Sequence, residues 1–235
     1  MWVRPEWNTD LQGRVRGPAQ STLVKKTALM NKALVSRLLD AHGRTFADEA
    51  GIVLRDQPSP LYRLLVLSLL SSTRISAAIA VAAGRELSRE GLRTATAMGD
   101  ASWQRIVDAL GRAHYKRYDE STATALGEGA RWLRERYRGD LRRLRAEADG
   151  DVDRLSRLLQ EHPRVGPVGA AIFCREVQGV WPELRPFFDD RTLEQAGRLG
   201  LPHTARGLAR TVDAEDLPRL AAALTRVRLA GGELD

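Results

Sequence analysis

Apolar positions along the 235-residue chain recur at helical spacing, and no stretch alternates in a way that predicts a strand. Ser21 suits a helix cap. From there to residue 42, Leu23, Leu29, Leu34, Leu38 and Leu39 form the apolar side of a helix whose polar side carries Lys25, Lys26, Lys32 and Arg37. Gly43 stops it. Residues 46–54 show no clear period, and Gln57-Pro-Ser-Pro60 reads as a linker. Residues 61–70 are apolar nearly all round, the pattern of a helix surrounded by others. A small-residue helix follows over 77–87, then short helices over 92–98 and 103–110, and a long one over 119–137 with Leu126, Trp132 and Leu133 inward. Leu155, Leu158 and Leu159 stripe a helix over 153–161, and 170–177 starts another. Helices over 192–199, 205–212 and 217–229 complete the pattern, the last with Leu220, Leu224 and Val227 in register. Residues 1–20, with Pro5, Gly13, Gly17 and Pro18, form an irregular arm that Trp2 and Trp7 tie to the body. The expected fold class is all-α, without internal repeats.

The junction between the helices over 153–161 and 170–177 is the informative one. Pro163, Gly166, Pro167 and Gly169 break the first helix, and the second restarts at once, with Pro167 or Val168 as its first residue. Such a turn presents unpaired N–H groups and the positive end of a helix dipole, a combination suited to phosphate. His162-Pro-Arg-Val-Gly-Pro-Val-Gly-Ala170 resembles the hairpin of the helix-hairpin-helix DNA glycosylases related to endonuclease III, which grip a DNA phosphate with Leu-Pro-Gly-Val-Gly-x-x-x-Ala. The match falls at Pro163, Val165, Gly166 and Ala170. Asp189, after Phe187 and Phe188, stands where that family keeps its catalytic aspartate. Ser71-Ser-Thr-Arg-Ile-Ser76 resembles the family segment whose glutamine fills the space left by an extruded base. Thr73 holds that position and is short, so Arg74 is the substitute; the plain alternative is a helix–helix turn. Gly111 to Tyr118, with Lys116, resembles the family's glycine-to-lysine entry into its next helix.

The resemblance implies a two-lobed fold. Residues 58–184 would form a helical barrel around the 61–70 helix and contain the hairpin at about 154–178. Residues 1–57 would pack with 185–235 as the second lobe, with double-stranded DNA between the two. It also implies a site: Asp189 for catalysis, and Arg164, Val165, Gly166, Val168, Gly169, Thr73, Arg74 and Lys116 for DNA. The chemistry fits a carboxylate, because breaking an N-glycosidic bond develops positive charge on the sugar after the base has left the stack. The plain role for Asp189 or Asp190 is capping the next helix, and the two roles are compatible; the expectation assigns catalysis to Asp189 and the cap to Asp190. Two departures matter. Bifunctional members carry a lysine where this chain has Val168, and valine cannot form a Schiff base. Arg164 replaces a glycine of the turn. The implied enzyme is therefore a monofunctional DNA glycosylase without strand cleavage; the alternative is a non-catalytic DNA-binding protein of the same fold.

Composition refines this reading. There are 37 Lys+Arg against 30 Asp+Glu, a formal charge of +7, and four lysines leave 33 arginines. Arginine forks suit phosphate, although a genome rich in G and C produces the same bias. The arginine-dense stretch 131–145 is either a solvated face or a phosphate-facing one. A lone cysteine, Cys174, excludes the four-cysteine iron–sulfur cluster of many endonuclease III relatives. His42, His114, His162 and His203 are scattered, so no metal site is expected; a monovalent cation on the hairpin backbone is allowed by the resemblance alone. His162 takes the place of the hairpin's usual leucine and is expected to serve the hairpin rather than catalysis. Tyr115, Tyr118 and Trp132 are expected in the core rather than stacked on bases. No leader or membrane span is evident, which leads to an expected monomer in the cytoplasm, at the nucleoid if bacterial.

Overall fold

The Gln57-Pro-Ser-Pro60 stretch is the start of the central helix rather than a linker. In the computed structural model, which describes residues 8–9, 15–16 and 18–234 with side chains from residue 26 onward, Gln57 is the N-cap of a helix spanning Pro58–Ser71. Prolines fit a first turn because its N–H groups have no intrahelical acceptor. Every residue from Leu61 to Leu70 except Arg63 is buried.

In chain order the helices are α1 (Pro18–His42), α2 (Phe46–Glu49), α3 (Pro58–Ser71), α4 (Ala77–Arg89), α5 (Ala95–Gly99), α6 (Trp103–Arg112) and α7 (Asp119–Tyr137). There follow α8 (Leu141–Ala148), α9 (Val152–Gln160), α10 (Pro167–Val177), α11 (Asp190–Arg198), α12 (Ala205–Ala209) and α13 (Leu217–Leu229). Short 3₁₀ turns stand at Pro182–Leu184 and Ala214–Asp216. The fold is all-α apart from a two-residue antiparallel ladder, Asn8–Thr9 with Val15–Arg16, in the segment expected to be irregular. Trp2 and Trp7 lie outside the described residues.

Several boundaries shift for identifiable reasons. α1 begins at Pro18, so Ser21 lies inside it rather than capping it. Leu29 is 70% exposed, and Val35 and Leu38 carry the contact instead. α8 sits where the density of arginine hid a period: Leu141, Leu144 and Ala148 are its buried stripe, and Asp140 caps it through the Arg142 N–H.

Two clusters of buried side chains organise the packing. The larger surrounds α3 and draws on α4 to α10 and Trp181. It also takes in Phe46, Ala47, Ala50 and Ile52, so the boundary between clusters falls before α2 rather than at residue 57. A buried carboxylate explains the placement: Glu176 of α10 accepts the Phe46 and Ala47 N–H groups at 3.3 and 3.0 Å, tying the start of α2 to the first cluster. The smaller cluster joins Val35 and Leu38 of α1 to Phe188, Ala196, Leu208 and the apolar face of α13. Phe187 packs against the larger cluster and Phe188 belongs to the smaller, so the chain crosses the seam just before Asp189.

Candidate nucleic-acid interface and the carboxylate beside it

The connection between α9 and α10 is a tight turn whose conformation is set by three residues. His162 and Val165 close it, with His162 N–H donating to Leu159 O at 3.2 Å and Val165 N–H to His162 O at 3.0 Å. Arg164 between them adopts φ 64, the left-handed conformation in which glycine is the easier residue. The turn therefore survives the replacement of glycine. Val165 inserts its side chain into the larger core at 3% exposure, and its N–H is taken, so it shapes the turn rather than offering a donor.

His162 is locked inward. Its ring lies over Gly129 of α7, where a Cβ would stand 2.1 Å from ring atoms, and meets Trp132 edge-on at 5.5 Å between centroids. Its Nδ1 donates to the Pro163 carbonyl oxygen at 2.9 Å. Burial pushes its pKa down to about 4, against which the Pro163 bond pulls weakly. The ring is neutral near pH 7, in a structural role. Trp132 also contacts Tyr137, and Tyr115 is fully buried, so these aromatics belong to packing.

Gly166 caps α10, and the first hydrogen bond into the helix runs from Ala170 N–H to Gly166 O at 3.0 Å. The N–H groups of Gly166, Val168 and Gly169 are left without intrahelical acceptors at the positive end of the dipole. Gly169 allows a close approach to the end of α3: a Cβ there would be 3.3 Å from Val165 and 3.7 Å from Ser72. This contact brings the Ser71–Ser76 turn beside the hairpin. Thr73 is held within that turn, its hydroxyl donating to Leu70 O and lying 2.9 Å from the Tyr115 hydroxyl. It is not positioned as a wedge. Arg74 and Lys116, next to these two residues, are exposed and have no partner among the described residues. Lys116 borders an open cleft of about 520 Å³ with Asp108, Arg112 and Asp119. Arg164 reaches Ser121 Oγ at 3.3 Å, at the start of α7. The structure thus brings together Arg164, the hairpin donors, Arg74 and Lys116.

Asp189 lies toward the other end of α10, reached along one face of it. Val168, Ile172 and Arg175 stand at i, i+4 and i+7, so their side chains line up over about 10 Å of helix. Val168 is 41% exposed, while Ala171 and Ile172 are half-buried. Arg175, 6% exposed, donates from Nη1 to Asp189 Oδ2 at 2.7 Å. Asp189 Oδ1 accepts the Thr192 N–H at 3.1 Å. Asp189, not Asp190, is therefore the N-cap of α11, and Asp190 is its first residue. The backbone before Asp189 is held by fully buried Gln178, which donates to Phe187 O at 2.9 Å and accepts the Phe187 N–H at 3.0 Å. Arg185 fastens the end of α10 by donating to the Gln178 and Gly179 carbonyls at 2.6 and 2.7 Å.

Sequence reasoning passed over Arg175, Glu176 and Gln178. A signal existed: Arg175-Glu176 is a charged pair inside the otherwise apolar run 170–177, and buried charges need partners elsewhere. Burial raises the Glu176 carboxyl above its ordinary value, although the Ala47 N–H and the Arg175 charge act against it. The arginine-dense stretch resolves largely into internal ion pairs, including Arg134 with Asp100, Arg136 with Glu147 and Glu161, and Arg145 with Asp56 and Glu183. Cys174 is fully buried, with its thiol pushed up to about 12 by burial. No helix among the described residues is long and apolar enough to cross a membrane.

No protein-family model matches this chain, and no curated protein does. Among solved structures it is similar to a trapped endonuclease III–DNA covalent intermediate in an estranged-adenine complex. The identity is 15% and the TM-score 0.48, over 83% of this chain and 85% of that one.

Proposed function

We propose that this chain is a monofunctional DNA glycosylase that holds double-stranded DNA at the hairpin, extrudes a damaged base and hydrolyses its N-glycosidic bond. The observation that carries the reading is the single face of α10 that runs from the free hairpin N–H groups, past exposed Val168 and half-buried Ala171 and Ile172, to the Arg175–Asp189 pair. A phosphate at the hairpin places the neighbouring nucleotide over an apolar floor that ends at a carboxylate. Asp189 would stabilise the positive charge that develops on the sugar and orient water towards it. With Val168 in place of a lysine there is no amine on this face to form a Schiff base, so water is the nucleophile and the strand stays intact. The protein is read as a monomer acting on chromosomal DNA in the cytoplasm.

A second reading, a non-catalytic lesion-binding protein, is favoured by one specific feature. Both Asp189 oxygens are engaged, one of them by a buried guanidinium, which reduces the field left to stabilise a cation.

Base release from duplexes carrying alkylated, deaminated or oxidised bases separates the two readings. Alkali reveals abasic sites, and borohydride tests for a trapped adduct. Asp189→Asn alone would strand the buried Arg175 charge at a cost of about 3–5 kcal/mol. The informative variant is therefore Asp189→Asn with Arg175→Met, which keeps a good cap and removes both charges. Release by the wild type, none by the folded double variant and no borohydride adduct is the expected result. Tight lesion binding with no release at any enzyme concentration would establish the second reading.

A further inference from the structure

We propose that Gln178 is a positioning residue for the reaction at Asp189: its buried amide sets the separation between the end of α10 and the segment that carries Asp189, and with it the aim of the carboxylate. Gln178 acts through Asp189, so this role rests on the function proposed above.

Both N–H groups and the oxygen of the Gln178 side chain are bonded. Nε2 donates to Arg175 O and to Phe187 O, each at 2.9 Å, and Oε1 accepts the Phe187 N–H at 3.0 Å. The orientation is forced, since a flipped amide would set its NH₂ group against the Phe187 N–H. The two bonds to Phe187 copy the exchange of N–H and C=O between paired strands, so one side chain stands in for a neighbouring strand. Gln178 is 0% exposed, as are Cys174 and Val177 in the same stretch of helix. A side chain that only filled space there would be apolar, because a buried amide is tolerated only when its polar atoms are bonded. What the amide adds to packing is direction.

That direction reaches Asp189 by two routes. Arg175, whose carbonyl accepts from Gln178, grips Asp189 Oδ2 at 2.7 Å, and Phe187 lies two residues before Asp189 in the chain. One amide therefore joins the backbone of the residue that holds the carboxylate to the backbone that presents it. Asp189 Oδ1 accepts the Thr192 N–H at 3.1 Å, so the plane of the carboxylate follows α10 and α11 together. Phe187 packs with the larger cluster and Phe188 with the smaller, which puts the pinned residue at the last point before the chain crosses the seam. The anchor is itself fixed: Arg185 donates to the Gln178 carbonyl at 2.6 Å, and a Cβ on Gly179 would stand 3.3 Å from Pro218 of α13. A displacement of about 1 Å at a reacting group can lower a rate by about 100-fold. The hairpin, at the opposite end of α10, is not part of this linkage.

The test compares wild type with Gln178→Met, which keeps the length of the side chain and loses its bonds, and with Gln178→Glu. On a duplex carrying the base that the wild type releases, Gln178→Met should lower kcat by about 10–100-fold and leave KM and duplex affinity near the wild-type values. In Gln178→Glu a protonated carboxyl donates to Phe187 O and accepts the Phe187 N–H, whereas a carboxylate donates nothing and faces the Arg175 and Phe187 carbonyl oxygens. Its rate relative to the wild type should therefore recover as pH falls, and this recovery decides the matter if Gln178→Met does not fold. The carbon NMR signal of the Asp189 carboxyl should move in Gln178→Met well below its melting temperature, with the Gly166 and Gly169 amides unmoved. A role in stability alone lowers the melting temperature and leaves kcat, the relative pH profile and the Asp189 signal as in the wild type; that result overturns the assignment, and so does a loss confined to KM. A wild type that releases no base removes catalysis by Asp189 instead. The Asp189 signal and the protection of the Thr192 amide then show by themselves whether Gln178 positions the carboxylate: a shift and a loss of protection in the variants retain that placement, and their absence removes it.

Discussion

Acid should loosen the hairpin through His162, and the size of the effect follows from where that ring sits. The side chain is 4% exposed, pressed against Gly129 and Trp132, with a single hydrogen bond to the Pro163 carbonyl oxygen. Burial lowers its pKa from 6.5 to about 4. A group whose pKa is depressed on folding contributes stability that is fully present above its unfolded value and is lost as pH falls towards the folded one. The window therefore runs from about pH 6.5 down to pH 4, and the whole gap is worth at most about 3 kcal/mol. His162→Leu removes the titration and keeps an apolar side chain in the slot. Urea unfolding of both proteins at intervals between pH 7 and 4 isolates this term, since every other titrating group is common to the two. The stability of the wild type relative to the variant should fall steadily as pH drops through the window. Protection of the Val165 amide, whose N–H bonds His162 O, should fall over the same range in the wild type alone once the intrinsic slowing of exchange by acid is divided out. A constant difference between the two proteins from pH 7 to 4 would show that the ring charges freely, and the structural role assigned to its burial would be wrong.

Two further substitutions probe the same supports. Gly129→Ala places a methyl group 2.1 Å from the His162 ring, and since α7 and the hairpin must separate to admit it, urea unfolding should show a loss of about 1–3 kcal/mol or more, with weaker duplex binding; stability equal to the wild type would mean the slot is not tight. Glu176→Gln tests the buried carboxylate. Its pKa is raised by folding, so its contribution is present below the ordinary carboxylate value of about 4.3 and is lost as pH rises through the folded value. The amide does not titrate, so chemical denaturation should show the variant losing less stability than the wild type on going from acid to neutral pH, even though its NH₂ group faces the Phe46 N–H.

The helical frame was legible because most helices declare themselves by an apolar face. Asp119–Tyr137 and Leu217–Leu229 appear with the limits their patterns predicted. What misled was local chemistry with two meanings. Pro58 and Pro60 look like punctuation, yet proline is at home in a first turn, and only the apolar run behind them selects that reading. Arginine density concealed α8, since its stripe has only Leu141, Leu144 and Ala148 to show among charged neighbours. The turn itself was recognisable from Pro163, Val165, Gly166 and Gly169. The inward His162 was not, because its place depends on Gly129 and Trp132, some thirty residues earlier in the chain, and the left-handed Arg164 was not, because it stands where the turn would ordinarily show a glycine.

The same limit applies to charge, and it changes what the surplus of arginine means. A net charge of +7 suggests a basic face, but the structure commits many guanidiniums to holding the fold: Arg145 bridges Asp56 and Glu183, Arg112 bridges Glu86 and Glu90, and Arg226 joins α13 to Glu49. Each of these pairs is partly exposed and worth at most about 1 kcal/mol, so their combined effect is to fix helix against helix rather than to supply the bulk of stability. Among the cations left unpartnered are Arg74 and Lys116, on the turns beside the hairpin. Counting residues cannot distinguish these two populations, since each cation adds the same charge to the total. Contact does distinguish them: a cation already paired with a carboxylate has little left to offer a phosphate, whereas one held near other cations without a partner gains from binding one. On the proposed function, the unpaired Arg74 and Lys116 beside the hairpin carry the functional part of the charge, and removing them should weaken DNA binding more than removing an equal number from the paired set.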